Sequence, residues 1–208
     1  GSIPSPEAAM DALFHLRDMI ASLDAPLVDA LCQRAVRRRN EALYARDRFP
    51  APGLRDLAGA YATSRTLPGR VRLLRSSYVQ ILLPQLCVTG PDDEVACLAA
   101  DTACLNALAR RLSLSIHVAT RKRESLPAAL QAAIRSRDPL RVEEAVTNSA
   151  VEAEVLARVK RQSRKTGPSP GIPDHIVAIY ADWLIPLSRK IQVHGLLADC
   201  PEEAGGAG

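Results

Sequence analysis

One stretch leaves the chain a single way to bury its apolar side chains. Leu105 to Arg123, LNALARRLSLSIHVATRKR, sets Ala107, Leu108, Leu114, Ser115 and Val118 at the three-, four- and seven-residue spacing of a buried helical face. Arg111 and Lys122 fall on the same stripe. Eleven residues make about three turns, so the two cations stand on one side of the helix, roughly 16 Å apart along its axis. From there the long side chains can lean together and bracket a small anion, or both can carry their charged ends out to water.

The rest of the chain points the same way. Apolar residues make up 47% of it and aromatics only 3%, so the core is aliphatic, which favours packed helices over a sheet. With 208 residues the expectation is an all-α, single-domain multi-helix bundle over residues 1–198, followed by a short polar, Gly-rich, disordered tail at 199–208. The basic residues behind the net charge of +4 are scattered, without the dense patch and interleaved aromatics that mark a nucleic-acid binder. No run approaches the roughly 20 apolar residues that span a bilayer. Cys32, Cys87, Cys97, Cys104 and Cys200 are odd in number and lack CxxC spacing, which argues against a zinc site and leaves one or two disulfides open. The chain opens Gly-Ser where Met would stand, which reads as a trimmed start and leaves a removed leader open as well.

Taken in order, the first helix is expected from Ser5 to about Arg46, with Met10, Leu13, Phe14, Arg17, Ile20 and Ala21 on its inner stripe. Phe49 to Gly53 break the helix, a short helix covers Leu54 to Thr63, and Val71 to Leu86 form another amphipathic helix. Helix resumes after Pro91 and runs to about Arg123; a shorter one covers Ser125 to Arg135 with Leu126, Leu130 and Ile134 inward. Asp138 caps a long helix to about Arg161. Gln162 to Asp174 reads as a basic Pro/Gly loop. The last helix runs from Asp174 to about Leu197, kinked at Pro186. No internal repeat stands out.

Polar residues interrupt these apolar stripes at matching places. Arg17 does so in the first helix; Asn148 and Glu152, at i and i+4, extend the stripe of Val155, Leu156 and Val159 backward; Ser188 and Gln192, again at i and i+4, join Leu184, Ile185 and Ile191. Each buried polar group costs about 1–3 kcal/mol unless paired, so seven on four inward faces need a shared partner. They can form an internal network, Glu152 with Arg17 or Arg111 and Gln192 with Asn148. Alternatively they surround a ligand, and Arg17, Arg111 and Lys122 against Glu152 then select a small dianion.

The runs DTACLNALARRLSLSIHVATRK, TNSAVEAEVLARV and IVAIYADWLIPLSRKIQV resemble the all-helical chorismate mutases of the fungal and plant branch, and LRDMIASLDAPLVDAL resembles, more weakly, that family's first helix. The likeness spans most of positions 101–197. It implies an isomerase that converts chorismate to prephenate by a [3,3] rearrangement, with no nucleophile, metal or cofactor, by holding a chair-like conformer against preorganised donors. Carried over by position, Arg17 and Arg111 hold the two carboxylates of chorismate. Lys122 and Gln192 donate to the ether oxygen, Asn148 and Glu152 engage the ring hydroxyl side, and Ser188 stands where the family has Thr, within reach of a carboxylate. Fungal members generally carry Glu in place of Gln192, and an amide needs no proton to donate, so activity is expected to persist at neutral pH.

Departures from the pattern carry expectations too. Arg46 to Arg75 is compressed, and Glu94, Val95, Ala96 and Cys97 replace a Gly-Ser pair, which implies that tyrosine and tryptophan do not regulate the activity. The family's homodimer is a further expectation. A second reading is a secreted chorismate mutase-like effector that works through a host protein partner; compartment leans toward secretion, with a cytoplasmic location as the alternative.

Overall fold

The first helix begins where its cap does: the Ser5 hydroxyl accepts from the N–H of Ala8 at 3.2 Å, and Pro6 fills the first turn. In this computed structural model, which describes residues 5–45, 70–125, 127–166 and 169–198, helix α1 spans Pro6–Ala35. It stops well short of Arg46. Arg34 turns its guanidinium back on the chain, donating to the carbonyls of Arg38 at 3.0 Å and Arg39 at 3.1 Å, and those carbonyls can be reached only if the backbone reverses. Asn40 makes the reversal at φ 53°, a left-handed conformation that Asn tolerates, and its N–H donates to the Gly90 carbonyl at 2.8 Å.

The later helices are α2 (70–86), α3 (Glu94–Ser125), α4 (Ala128–Ser136), α5 (Pro139–Val146), α6 (Ser149–Thr166) and α7 (172–198). Among the described residues there is no strand, so the all-α expectation holds. The expected helix from Asp138 to Arg161 is two. Asp138 caps the first, accepting from the N–H of Leu140 at 3.0 Å, but the chain extends at Thr147 (ψ 124°), and Asn148 caps the second by accepting from the N–H of Val151 at 3.2 Å. The expected loop at Gln162–Asp174 is mostly helix: α6 runs on to Thr166, and Gln162 and Thr166 both donate to Asp29 of α1. Leu130 and Ile134 are buried as expected. Leu126, the side chains of Leu13 and Val71, the expected helix at Leu54 to Thr63 and the tail at 199–208 lie outside the described residues.

Next to Pro186, where the last helix was expected to kink, it carries a π turn at Tyr180–Leu184. Proline has no N–H and its ring clashes with the carbonyl four residues back. The widened turn relieves this: the Ile185 N–H reaches the Tyr180 carbonyl. Helix α2 does the same at Tyr78–Leu82, two residues before Pro84, with the Leu83 N–H on the Tyr78 carbonyl. The shared spelling, YVQILLP at 78–84 and YADWLIP at 180–186, is a short internal repeat that the sequence reading missed.

The repeat extends into the core. Helices α1 and α3 pack antiparallel, joined by Arg111 Nε donating to Asp24 at 2.8 Å and by Arg34 Nε donating to Asp101 at 2.7 Å. Tyr180 donates to Asp24 at 2.9 Å, and Tyr78 donates to Asp101. Two Asp–Arg–Tyr triads thus tie the helix pair, one at its middle and one near the C-terminal end of α1. The register they set brings Met10 level with Ser125, where α3 ends, and so Met10 and Phe14 are 68% and 67% exposed where the sequence stripe placed them inward.

The main core gathers Leu27, Val28 and Leu31 of α1 with Leu105, Leu108 and Leu112 of α3, and closes over Leu82, Ile176 and Leu184. A second, smaller cluster joins Ala119 of α3 and Val193 and Leu196 of α7 to Leu130, Ile134, Val142 and Val146 of α4 and α5. The four cysteines among the described residues, Cys32, Cys87, Cys97 and Cys104, are buried free thiols. Burial pushes Cys32 and Cys87 up to about 11 and raises Cys97 and Cys104 as well.

Candidate active site

Where the two apolar clusters meet, α1, α3, α6 and α7 leave a cavity of about 250 Å³. Arg17, Arg111, Lys122, Asn148, Glu152, Ser188 and Gln192 all line it, so the seven polar residues singled out in the sequence come together. Val118, Val146, Val155 and Ile185 supply its apolar wall.

Helical spacing explains the convergence. Arg111, Ser115, Val118 and Lys122 follow one stripe of α3, and Ser188 and Gln192 follow one stripe of α7, the helix whose π turn sets their phase. The break at Thr147 aims α6 so that Asn148 and Glu152, one turn apart, face the same space.

The polar groups are held in place and are not all consumed. Arg111, 5% exposed, spends its Nε on Asp24; among the described residues its two terminal nitrogens make no hydrogen bond. Arg17 forms no ion pair among the described residues. Lys122 donates to the Val146 carbonyl at 2.9 Å and to Gln192 Oε1 at 3.0 Å. An ammonium only donates, so the Gln192 oxygen must face Lys122, which leaves its amide N–H groups for the cavity. Asn148 likewise uses its oxygen to cap α6 and keeps its NH₂ free of that bond. Of the expected internal pairings neither is formed: Glu152 is paired with Arg189, and Gln192 with Lys122.

Electrostatics follow from this crowding. Burial, helped by the neighbouring Arg17 charge and opposed by Glu152, lowers the Lys122 pKa from its ordinary 10.5 to about 8. Five cationic side chains, Arg17, Arg111, Lys122, Arg158 and Arg189, line the cavity against three carboxylates, Asp18, Glu152 and Glu154. The excess suits an anion carrying two negative charges. Among the described residues no three His, Cys, Asp or Glu side chains gather as a metal site.

Four members of the site escaped the sequence reading. Asp24, 2% exposed, anchors both Arg111 and Arg158, the latter donating from Nη2 at 2.7 Å. Its signal was present: it stands seven residues after Arg17 on the face that continues to Leu27, Val28 and Leu31. Arg158 also lines the cavity, with a buried Nε that has no hydrogen-bond partner among the described residues. Arg189 ties Glu152 of α6 to α7, and its Nε stands 3.5 Å from Glu143 of α5, an ion pair by distance without hydrogen-bond geometry. Ser115, read as a small apolar-face residue, hydrogen-bonds Ser188 at 2.6 Å.

Known proteins share the fold that carries this site. A chorismate mutase from Candida albicans, solved as a complex with L-Trp, superposes with a TM-score of 0.70 over 95% of this chain and 94% of its own, at 22% identity. The chloroplast chorismate mutase of Zea mays gives 0.68 over 94% and 95%, at 21% identity. The architecture is therefore that of the all-helical chorismate mutases. By sequence, chorismate mutase 1, chloroplastic, of Petunia hybrida is 32% identical over 135 residues, which are 58% of this chain and 42% of the relative. The chorismate mutase of Trichoderma parareesei is 29% identical over 150 residues, 62% of this chain and 56% of its own. The chain thus spans about half the length of the curated relatives it matches. Residues 98–193 match the family model for chorismate mutase type II.

Proposed function

We propose that this protein catalyses the rearrangement of chorismate to prephenate in the cavity between α1, α3, α6 and α7. The observation that carries the reading is the meeting of Arg17, Arg111, Lys122, Asn148, Glu152, Ser188 and Gln192 around one space with an excess of positive charge. Arg17 and the terminal nitrogens of Arg111 receive the two carboxylates, for which planar guanidinium donors are suited, and Ser188 adds a hydroxyl contact. Lys122 and the Gln192 amide donate to the ether oxygen as negative charge grows on it during C–O cleavage. Glu152, held by Arg189, and Asn148 engage the ring hydroxyl side. The reaction is intramolecular, so the residues supply conformational restraint and electrostatic stabilisation, and no proton need be exchanged.

Purified protein is expected to consume chorismate, followed as loss of its ultraviolet absorbance. Removing one donor from such a site typically costs about 2.7–4 kcal/mol, so Lys122→Ala is expected to lower kcat by roughly 10²–10³-fold, and Arg111→Ala to weaken substrate capture severely. Unchanged turnover in both variants would remove the cavity from the reading.

Independence from aromatic amino acids belongs to the same proposal, supported by the compressed sequence between Arg46 and Arg75; a several-fold rate change on adding tyrosine or tryptophan would overturn it. A homodimer is supported by Val36, Val88 and Val95, which are 58%, 76% and 78% exposed at the end away from the cavity, and light scattering tests it. A single domain over residues 1–198 is tested by limited proteolysis. Secretion and a host protein partner rest on the resemblance, and the reading frame upstream of Ile3 tests the leader they require. The relatives include forms named chloroplastic and cytosolic, and no helix among the described residues is long and apolar enough to cross a membrane.

A further inference from the structure

We propose that Ser115 is a positioning residue that directs the hydroxyl proton of Ser188 into the cavity. The role rests on the chorismate reading, since it assigns Ser188 an anionic oxygen to meet. Two hydroxyls, Ser115 on α3 and Ser188 on α7, stand 2.6 Å apart, and either oxygen could be the donor by distance alone. The surroundings decide between them. Ser115 is fully buried, whereas Ser188 is partly exposed on the cavity wall.

Serines and threonines inside these helices commonly place their proton on the carbonyl four residues back. Ser113 donates to Ala109, Thr102 to Leu98 and Ser163 to Val159, at 2.8, 2.8 and 2.7 Å. Ser115 does not: among the described residues its only hydrogen bond is to Ser188. If Ser188 were the donor, the Ser115 proton would be stranded in a dry site with no acceptor, and Ser188 would present only lone pairs to an incoming carboxylate. If Ser115 is the donor, its proton is satisfied and the Ser188 proton is left for the cavity. A buried donor without a partner is the costlier arrangement, so the second holds. Ser115 therefore fixes the polarity of Ser188, turning a hydroxyl that could donate or accept into a donor facing a site built for a dianion.

The test is a double-mutant cycle on chorismate turnover with Ser115→Ala, Ser188→Ala and the double variant, each checked by thermal denaturation. A carboxylate contact present before and during the reaction acts on KM more than on kcat. Ser115→Ala is expected to raise KM about five-fold with kcat changed less than two-fold, Ser188→Ala to raise KM about ten-fold, and the double variant to match Ser188→Ala. An equal effect of Ser115→Ala in both backgrounds, a change confined to kcat, or no change at all would overturn the role while leaving the proposed reaction intact. A wild-type protein that leaves chorismate untouched would overturn the reaction, and this role with it. Should Ser115→Ala fail to fold, Ser115→Cys, nearly isosteric and a weak donor, carries the same comparison with KM expected between wild type and Ser188→Ala.

Discussion

Lys122 joins the site's chemistry to its stability with opposite signs. Its pKa in the folded protein is about 8 against an ordinary 10.5, so between those values the unfolded chain binds the extra proton and stability rises with pH. Below about pH 8 both states are protonated and the folded state carries the cost of a desolvated ammonium. Lys122→Met is accordingly expected to raise the midpoint of thermal unfolding at pH 7 while lowering kcat by roughly 10²-fold or more. For the wild type, kcat/KM is expected to stay level through neutral pH and fall with a midpoint near 8 as the free enzyme loses the Lys122 proton; Gln192 has no proton to lose. Gln192→Glu adds one, and a carboxylate beside Lys122 accepts without donating at neutral pH. That variant is expected to lose about ten-fold or more in kcat/KM at pH 7.5 and recover part of it at pH 5, read from a pH–rate profile. The residues that touch the cavity were legible because each breaks an apolar stripe. Arg189 was not, because a cation beside Ser188 reads as surface until Glu143 and Glu152 are seen to flank it.

Helices were legible over their middles and misread at their ends, since hydrophobic spacing reports a buried face while termini depend on single contacts. Nothing in the spacing of α1 foretells that Arg34 turns back on the carbonyls of Arg38 and Arg39, whereas Thr147, Asn148 and Ser149 did offer a cap signal that the continuous stripe obscured. The Arg34 end of α1 also supplies a test of how the helix pair is held. Asp101 is fully buried against Arg34, and removing one partner of a buried pair typically costs about 3–5 kcal/mol. Asp101→Ala is expected to lose stability of that order in urea denaturation and, where still folded, to keep kcat within about two-fold, because its triad lies away from the cavity. Asp24→Ala is expected to lose both, since Asp24 orients Arg111.

Across the whole molecule, fold class followed from the aliphatic, aromatic-poor composition and four interrupted stripes. The relation between its two triads did not, because a repeat of Tyr, Leu and Pro over seven residues is too short to stand out until both tyrosines are found on aspartates that hold arginines. The triads differ in one respect. Arg111 keeps two nitrogens clear of hydrogen bonds among the described residues, whereas Arg34 spends its own on backbone carbonyls and Tyr44, donating to that hydroxyl at 3.0 Å.

Cys32, Cys87, Cys97 and Cys104 sit in that shared interior with their ionisation suppressed, so an alkylating reagent meets almost no thiolate at them while the helices stay docked. Iodoacetamide labelling of these four positions, resolved by peptide mass, is expected to proceed only as molecules open, and at a common rate if the helices part together. Labelling of Cys32 well ahead of Cys104 would instead show α1 peeling from α3 on its own. Four sulfur atoms thereby give the protein a built-in clock for its own opening.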